Sequence, residues 1–133
     1  SKRALELAAA YSTSTGKYGR NLSSYQGISF MLAEMYAKTA AAKSAVYSAA
    51  EQYMRRMPQS AVSVAAAKLM STELACEVTK SARQVHGANG LSRAFEVERC
   101  FRDAQMLTIA EGTSEICKII ISNALTDGKE LTI

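Results

Sequence analysis

Apolar residues recur at three- and four-residue spacing through much of the chain, a pattern typical of amphipathic α-helices. The longest stripe runs through Ile28, Met31, Leu32, Met35, Thr39, Ala42, Val46, Ala49 and Tyr53. A second stripe consists of Val62, Ala65, Ala66, Leu69, Leu74, Val78, Ala82 and Val85. The alternation of apolar and polar residues that marks strands does not persist beyond a few positions. The pattern therefore predicts helices and no regular sheet.

Capping and helix-breaking residues set the ends of five predicted helices. The first helix covers residues 4–13, and the second begins at Ser23 or Ser24 and ends in the segment 55–58. The third and fourth cover residues 60–85 and 97–106. The fifth begins at Thr113 or Ser114 and ends at Asp127–Gly128. Ser and Thr hydroxyls cap helix starts, and Pro58 cannot continue a helix. Gly87 and Gly90 end the third helix because glycine favours helix C-termini.

Long helices joined by short connections pack as antiparallel neighbours. We therefore predict an all-α fold, an up-down-up-down four-helix bundle, with the short helix at 97–106 lying across one end. The length of 133 residues fits a single domain over residues 1–133. The first predicted helix is short, so an apolar seam of the bundle is expected to be exposed.

Composition excludes several classes of function. The net charge of +4 comes from scattered basic residues without interleaved aromatics, which argues against nucleic-acid binding. The three cysteines are far apart and there is one histidine, so neither a zinc site nor a di-iron site of paired Glu-x-x-His motifs is expected. No apolar run approaches the ~20 residues that a membrane-spanning helix needs.

The candidate chemistry lies in residues 107–115, Leu-Thr-Ile-Ala-Glu-Gly-Thr-Ser-Glu. Glu111 precedes Gly112, which allows a ligand or backbone to approach closely. Leu107, Ile109 and Ala110 are expected to surround the Glu111 carboxylate with apolar groups, which would raise its pKa and make it a stronger base. The structural alternative is a carboxylate that interacts with the helix dipole, worth about 0.3–1 kcal/mol.

Two further segments and the one that begins at Glu111 form a pattern of three. They are Gln84-Val-His-Gly-Ala-Asn-Gly90, then Val97-Glu-Arg-Cys-Phe-Arg-Asp-Ala104, then Glu111-Gly-Thr-Ser-Glu-Ile116. In this order they resemble the C-terminal helical domain of the FAD-dependent acyl-CoA dehydrogenases. Tyr18-Gly19-Arg20 and residues 26–35 are similar too, so the resemblance covers about residues 4–126.

The resemblance implies α,β-dehydrogenation of an acyl thioester, in which a base removes the α proton and the β hydrogen leaves as hydride to the flavin. It implies that Glu111 is the base, that Gly112 lies against substrate, and that the cofactor is FAD. The residues implied in FAD binding are Tyr18, Gln26, Gln84, Val85, His86, Gly87, Ala88, Thr113 and Glu115. Of these, His86 is expected to be mostly structural.

The family's partners are likewise implied: an acyl-CoA or carrier-protein-bound acyl substrate, an electron-transfer flavoprotein as acceptor, and a homodimeric or homotetrameric assembly. The implied location is the cytoplasm of a bacterium or the mitochondrial matrix of a eukaryote. The chain is expected to be a fragment that lacks the family's N-terminal helical and middle β domains, and to be inactive alone. Arg102 and Asp103 are expected to form a buried ion pair before Glu111.

Five positions depart from the family pattern. Thr15 stands where an arginine grips the FAD pyrophosphate, so Lys17 or Arg20 must compensate or FAD binds less tightly. The others are Ala88, Leu91, Glu96 and Ala110. Leu91 and Ala110 predict an altered pocket and an unusual acyl substrate, branched or carried on an acyl carrier protein. The missing arginine also supports an alternative, a non-catalytic helical interaction or oligomerisation module derived from the family.

Overall fold

The computed structural model describes residues 1–127, most of which are helical. The helices are α1 (Lys2–Ser14), α2 (Gln26–Met54), α3 (Ser60–His86), α4 (Glu96–Leu107) and α5 (Ser114–Thr126). Two short strands, β1 (Gly16–Lys17) and β2 (Arg20–Asn21), form an antiparallel hairpin between α1 and α2. Short 3-10 turns cover Leu22–Ser24 and Gly87–Leu91. The predicted all-α class is confirmed, although the hairpin was not predicted.

The central element is α3, which contacts all four other helices. Helix α2 lies along it, joined by the turn at residues 55–59. The start of α1 shares a surface groove with Ser71, and Tyr11 near its end stacks on His86 with ring centroids 4.2 Å apart. Helix α1 therefore runs in the same direction as α3, beside the second half of α3.

Helices α4 and α5 follow one another along α3 in the opposite direction. The Arg83 guanidinium lies 4.0 Å from the centroid of the Phe101 ring, and the Cys76 thiol donates to the Ala104 carbonyl at 3.3 Å. Farther along, the Ser114 hydroxyl donates to Glu73 at 2.9 Å. The two helices thus both pack on α3 and run antiparallel to it. The prediction that the short helix lies across one end was wrong, because α4 buries Val97 and Ala104 alongside α3.

The buried core lies in the half of the bundle where four helices meet. Its fully buried members are Ala4, Ala8, Met35, Val78, Ala82, Val85 and Val97. Within residues 1–127, the other half holds the end of α2, the start of α3 and α5, since α1 is 13 residues long and α2 is 29. Val46, Tyr47, Tyr53 and Met54 on α2 are exposed there. The predicted exposure of an apolar seam is confirmed.

The helix ends agree with most of the predicted signals. Thr113 caps α5, its hydroxyl accepting from the Ile116 N–H at 3.3 Å, and Gly87 ends α3 with a φ of +57°. The cap predicted for α2 was wrong: the Ser24 hydroxyl donates to the Asn21 carbonyl at 2.7 Å, and the helix starts at Gln26. Helix α5 ends at Thr126, and Gly128 lies outside the described residues. No helix within residues 1–127 has the length and apolar character required to cross a membrane.

Candidate active site

Glu111 lies in the six-residue connector between α4 and α5, at the place where the chain passes the middle of α3. The connector is closed by a bond from the Ser114 N–H to the Thr108 carbonyl at 3.0 Å. Glu111 has a φ of +55° and Gly112 has a φ of +97°. A left-handed conformation is unfavourable for a residue with a side chain, and such strain concentrates at functional sites. Among the described residues, Tyr18 and Arg56 also have a positive φ, and Glu111 is the one of the three that carries a carboxylate.

The Glu111 side chain is exposed in the described chain. Its expected apolar neighbours are exposed as well: Ile109 is 69% and Leu107 40% accessible. The prediction that Leu107, Ile109 and Ala110 enclose the carboxylate was therefore wrong for this chain on its own. Ala110 is half-buried, and Ile109 lies at the edge of a groove beside the connector. Removing Glu111 from water requires a surface outside residues 1–127.

A groove of about 400 Å³ opens beside the connector. Its lining residues are Glu73, Cys76, Gln105, Thr108, Ile109, Thr113, Ser114 and Glu115. The pKa of Glu115 is lowered by a hydrogen bond from its own backbone N–H and another from the Thr113 hydroxyl. Burial raises the pKa of the Cys76 thiol. The groove thus offers an anionic carboxylate and a neutral thiol on its walls, with Thr113 and Glu115 side by side as predicted from the sequence.

A second group of predicted residues lies on the hairpin and at the start of α2. Tyr18 and Gly19 have φ values of +54° and +76°, the conformation of the two-residue turns that join twisted strands. The Tyr18 ring at the tip is 85% exposed. Lys17 and Arg20 face each other across the two strands, and the Lys17 ammonium lies 5.4 Å from the Tyr18 ring centroid. The hairpin therefore presents an exposed aromatic ring with one cation beside it, Lys17, and a second cationic residue, Arg20, on the paired strand. Gln26, at the start of α2, is exposed as well.

The remaining predicted residues lie at the end of α3, where some are accessible to solvent and others are buried. Gln84, Gly87 and Ala88 are exposed, whereas Val85 and His86 are only 3% and 6% accessible. His86 Nδ1 donates to the Ala82 carbonyl at 2.8 Å while its ring stacks on Tyr11. The side chains of Val85 and His86 face the core because they continue the apolar stripe of α3. A cofactor at this end could therefore reach only the backbone groups of Val85 and His86, and their contact with FAD stays a prediction.

The predicted site residues thus form two separate sets. Tyr18, Gln26 and the segment 84–88 lie at the hairpin end of the bundle, where Tyr11 stacks on His86. Thr113 and Glu115 lie beside Glu73, which is three helical turns before Gln84, about 16 Å at 1.5 Å per residue. One small ligand cannot contact both sets through this chain alone, whereas an extended ligand or two copies of a ligand can.

The predicted buried ion pair of Arg102 and Asp103 was wrong. The Arg102 guanidinium instead donates to Glu98, one turn earlier on α4, at 2.6 Å, and both Arg102 and Asp103 are exposed. Residues four apart lie on the same helix face, whereas adjacent residues do not. This Glu98–Arg102 pair lowers the pKa of Glu98.

Two residues of α3 that the sequence did not single out contact the connector. The Lys68 ammonium donates to the Gly112 carbonyl, and Glu73 accepts from the buried Ser114 hydroxyl. Both contacts join positions more than forty residues apart in sequence, so no local pattern could reveal them. Within the described residues, no group of three His, Cys, Asp or Glu side chains is arranged to hold a metal ion.

Comparison with known proteins identifies the family and the relatives to which the chain is similar. Residues 1–126 match the family "Acyl-CoA dehydrogenase, C-terminal domain". The chain is 40% identical over 122 residues to "Probable acyl-CoA dehydrogenase fadE25" of Mycobacterium bovis, covering 92% of this chain and 31% of that protein. It is 35% identical to "Caffeyl-CoA reductase-Etf complex subunit CarC" of Acetobacterium woodii, with 92% and 32% covered.

Butyryl-CoA dehydrogenase from Megasphaera elsdenii is a solved structure with the same fold. It superposes with a TM-score of 0.91 at 36% identity, over 94% of this chain and 32% of that one. The chain therefore belongs to the C-terminal domain family of the acyl-CoA dehydrogenases, a family of flavoprotein oxidoreductases. It spans about a third of the length of the curated relatives it matches.

The exposed residues fit FAD as the family's cofactor. An exposed aromatic ring on a hairpin that also carries Lys17 and Arg20 suits the adenine and pyrophosphate of a dinucleotide, and the exposed Gln26 and Gln84 supply amide groups. The Gly87 backbone is open, since a Cβ placed there would meet no atom within 4 Å. These groups would hold the cofactor from the hairpin end of the bundle.

Proposed function

We propose that the chain is the C-terminal domain of an FAD-dependent acyl-CoA dehydrogenase and that Glu111 is the general base of α,β-dehydrogenation. Membership in the family supports the reaction. The observation that carries the role of Glu111 is its strained left-handed backbone in an outward-facing connector, which projects the carboxylate away from the bundle.

The chemistry divides between the chain and its cofactor. The Glu111 carboxylate takes the α proton of the acyl thioester, and Gly112 leaves room beside it for the substrate chain. FAD bound nearby supplies the acceptor for the β hydrogen. A carboxylate becomes a better base when water is excluded. We propose that the remaining domains of the longer protein, together with the acyl group, cover Leu107, Ile109 and Glu111.

The two sets of cofactor residues support an assembly of subunits. Gln84 to Ala88, with Tyr18 and Gln26, would contact the FAD of a neighbouring subunit, whereas Thr113 and Glu115 would contact the FAD of their own. The separation of about 16 Å along α3 agrees with that division. We propose a homodimer or homotetramer. The relative named as part of an Etf complex supports an electron-transfer flavoprotein as the acceptor.

The substrate is proposed to be an acyl-CoA or a carrier-bound acyl group of unusual shape. Ala110 is half-buried next to Glu111 and supplies no aromatic ring there, whereas Leu91 is exposed beyond the end of α3, away from the connector. A panel of straight-chain, branched and carrier-bound thioesters tests this proposal. A clear preference for ordinary straight-chain acyl-CoA would refute it.

Reduction of the flavin tests the function directly. The full-length protein should bind FAD, and an acyl-CoA added without oxygen should bleach the flavin absorbance. Glu111→Gln should retain FAD and slow bleaching by about 100- to 10,000-fold, because general bases contribute 10²–10⁴-fold. Glu34→Gln, an exposed carboxylate on α2, is the matched control and should bleach normally.

Two results would change the conclusion. Retained turnover in Glu111→Gln would remove Glu111 from the mechanism. A full-length protein that never holds flavin would favour the alternative, a non-catalytic helical module descended from the family, for which Thr15 in place of the phosphate-binding arginine is the supporting observation.

A further inference from the structure

Helix α3 holds the Glu111 connector at two points. On one side of α3, the Lys68 ammonium donates a hydrogen bond to the Gly112 carbonyl. Five residues later, the Glu73 carboxylate accepts a hydrogen bond from the Ser114 hydroxyl at 2.9 Å, and Ser114 is 5% accessible. The two contacts therefore fix the chain directly after Glu111, one at a peptide group and one at the first residue of α5.

The connector needs such support because the backbone conformation of Glu111 is energetically unfavourable. Glu111 adopts a left-handed conformation, which persists in a residue with a side chain only when the surroundings enforce it. Gly112 has no Cβ and can adopt many other conformations, so it does not enforce the geometry of its neighbour. The connector's bonds at Met106 and Thr108 attach it to the end of α4, not to α3.

The lysine contact determines the direction of the Glu111 side chain relative to the bundle. The Gly112 carbonyl is bound to a side chain from the middle of α3, which is the most extensively packed helix. A charged donor makes this bond stronger than one between neutral groups. If the bond is lost, the peptide after Gly112 can rotate, and rotation there displaces the carboxylate while α5 stays attached through Ser114 and Glu73.

We propose that Lys68 is a positioning residue for the Glu111 base: its hydrogen bond to the Gly112 carbonyl keeps the carboxylate aimed at the α-carbon of the substrate. This inference rests on the proposed function, since it requires that Glu111 removes the α proton. Lys68 itself does not touch the reacting atoms. Its effect should appear in the proton-transfer step and not in substrate binding or flavin content.

The test uses the full-length flavoprotein with Lys68→Met, which keeps the length of the side chain and removes the donor. The first measurement is kcat and KM with an acyl-CoA substrate. The second is exchange of the α proton with D2O in an acyl-CoA analogue that has no β hydrogen, because this exchange depends on the base alone. We expect kcat and exchange to fall by about 10- to 100-fold, since a small misplacement of a reacting group costs this much.

Control variants separate positioning from folding. KM should stay within about threefold and FAD content should be unchanged. Lys68→Arg, which retains a charged donor, should recover most of the exchange rate. Lys80→Met removes an exposed lysine from the same helix and should behave as the wild type. If Lys68→Met does not fold, Lys68→Gln, whose amide is too short to reach the carbonyl, replaces it.

The possible failures are distinguishable. Normal kcat and exchange in Lys68→Met, alongside an inactive Glu111→Gln, would overturn the role of Lys68 and leave the proposed function intact. A loss explained by lower FAD content or raised KM, or an equal loss in Lys80→Met, would also overturn it. Full turnover in Glu111→Gln would overturn the proposed function and this inference together.

Discussion

Gly90 shows how one residue fixes the turn that carries part of the candidate cofactor site. It is buried, and a Cβ added to it would lie 2.4 Å from the Arg83 carbonyl oxygen and 2.8 Å from Arg83 Cγ. The carbonyl belongs to the last turns of α3 and cannot move aside freely. The turn at residues 87–91 can therefore pack against α3 only if residue 90 has no side chain.

Gly90→Ala should lower the free energy of unfolding by about 1–3 kcal/mol, the range for overpacking a close contact. Urea denaturation of the protein measures the change. Gly27→Ala is the matched control, because Gly27 lies in α2 with no atom within 4 Å of the added Cβ. That variant should be neutral or stabilised by up to about 1 kcal/mol. Similar midpoints for the two variants would contradict the close contact.

The hairpin tip provides a second prediction at the level of single residues. If Lys17 and Arg20 replace the arginine missing at Thr15, then Lys17→Met with Arg20→Met should weaken FAD binding at least about tenfold, because two cations beside the pyrophosphate are lost. Fluorescence titration of the full-length apoprotein with FAD measures the dissociation constant. Lys43→Met, on the exposed face of α2, is the control. An unchanged dissociation constant in the double variant would show that Lys17 and Arg20 do not replace the arginine missing at Thr15.

Among the elements, the two long helices could be predicted from the sequence and the position of α4 could not. Apolar spacing identifies which face of a helix is buried, and Pro58 and Gly87 mark its ends. Spacing does not identify the helix against which that face packs. The placement of α4 along α3 depends on contacts such as Cys76 with Ala104, which join distant positions.

The same reasoning applies to the candidate site. Glu111, Thr113 and Glu115 could be predicted because they lie in one short motif. The exposure of Glu111 could not, since it depends on which surfaces cover the connector. The motif alone also could not predict that Val85 and His86 are buried while Gln84 and Gly87 are exposed. Neighbouring residues of a helix point to different faces, and the motif does not show which face meets the core.

An ion pair joins α1 to α4 and makes their attachment dependent on pH. The Arg3 guanidinium donates to Glu96 at 2.6 Å and lowers the pKa of Glu96, first through that hydrogen bond and then through charge attraction. A carboxyl whose pKa is lower in the folded state stabilises the fold above its unfolded pKa, about 4.3. This contribution is lost as the pH falls through the lowered folded value.

Arg3→Met should therefore reduce the urea midpoint at pH 7, and the difference from the wild type should shrink as the pH falls below about 4. Equilibrium denaturation at several pH values measures this. Lys80→Met removes a positive charge elsewhere and should show a constant small difference. A difference for Arg3→Met that does not change with pH would exclude the ion pair as its cause.

At the scale of the whole molecule, and within the part of the chain that the structure describes, four helices pack together in one half of the bundle and three in the other. The exposed apolar residues at the second end include Val46, Tyr53 and Met54, and a groove of about 420 Å³ runs between α2 and α3 there. Exposed apolar patches of this kind mark interaction surfaces. The proposed homo-oligomer would bury this end.

Tyr53→Glu should shift the full-length protein towards smaller species, because a charge buried in an apolar interface is unfavourable. Sedimentation velocity at several concentrations measures the assembly. Ser44→Glu introduces the same charge at an exposed polar position of α2 and should leave the assembly unchanged. If both variants sediment like the wild type, the subunits associate through another surface.

The connector between α4 and α5 separates the packing of the two helices on α3 from the position of the Glu111 carboxylate. A continuous helix would fix both together. Each helix keeps its own register against α3, so a residue inserted between Val97 and Ala104 would rotate one relative to the other by about 100°, and both could no longer face α3. An insertion at residues 108–113 would displace the Glu111 carboxylate and alter the connector's own hydrogen bonds, without changing the register of either helix. The length of this connector therefore sets the reach of the proposed base independently of the helix packing that supports it.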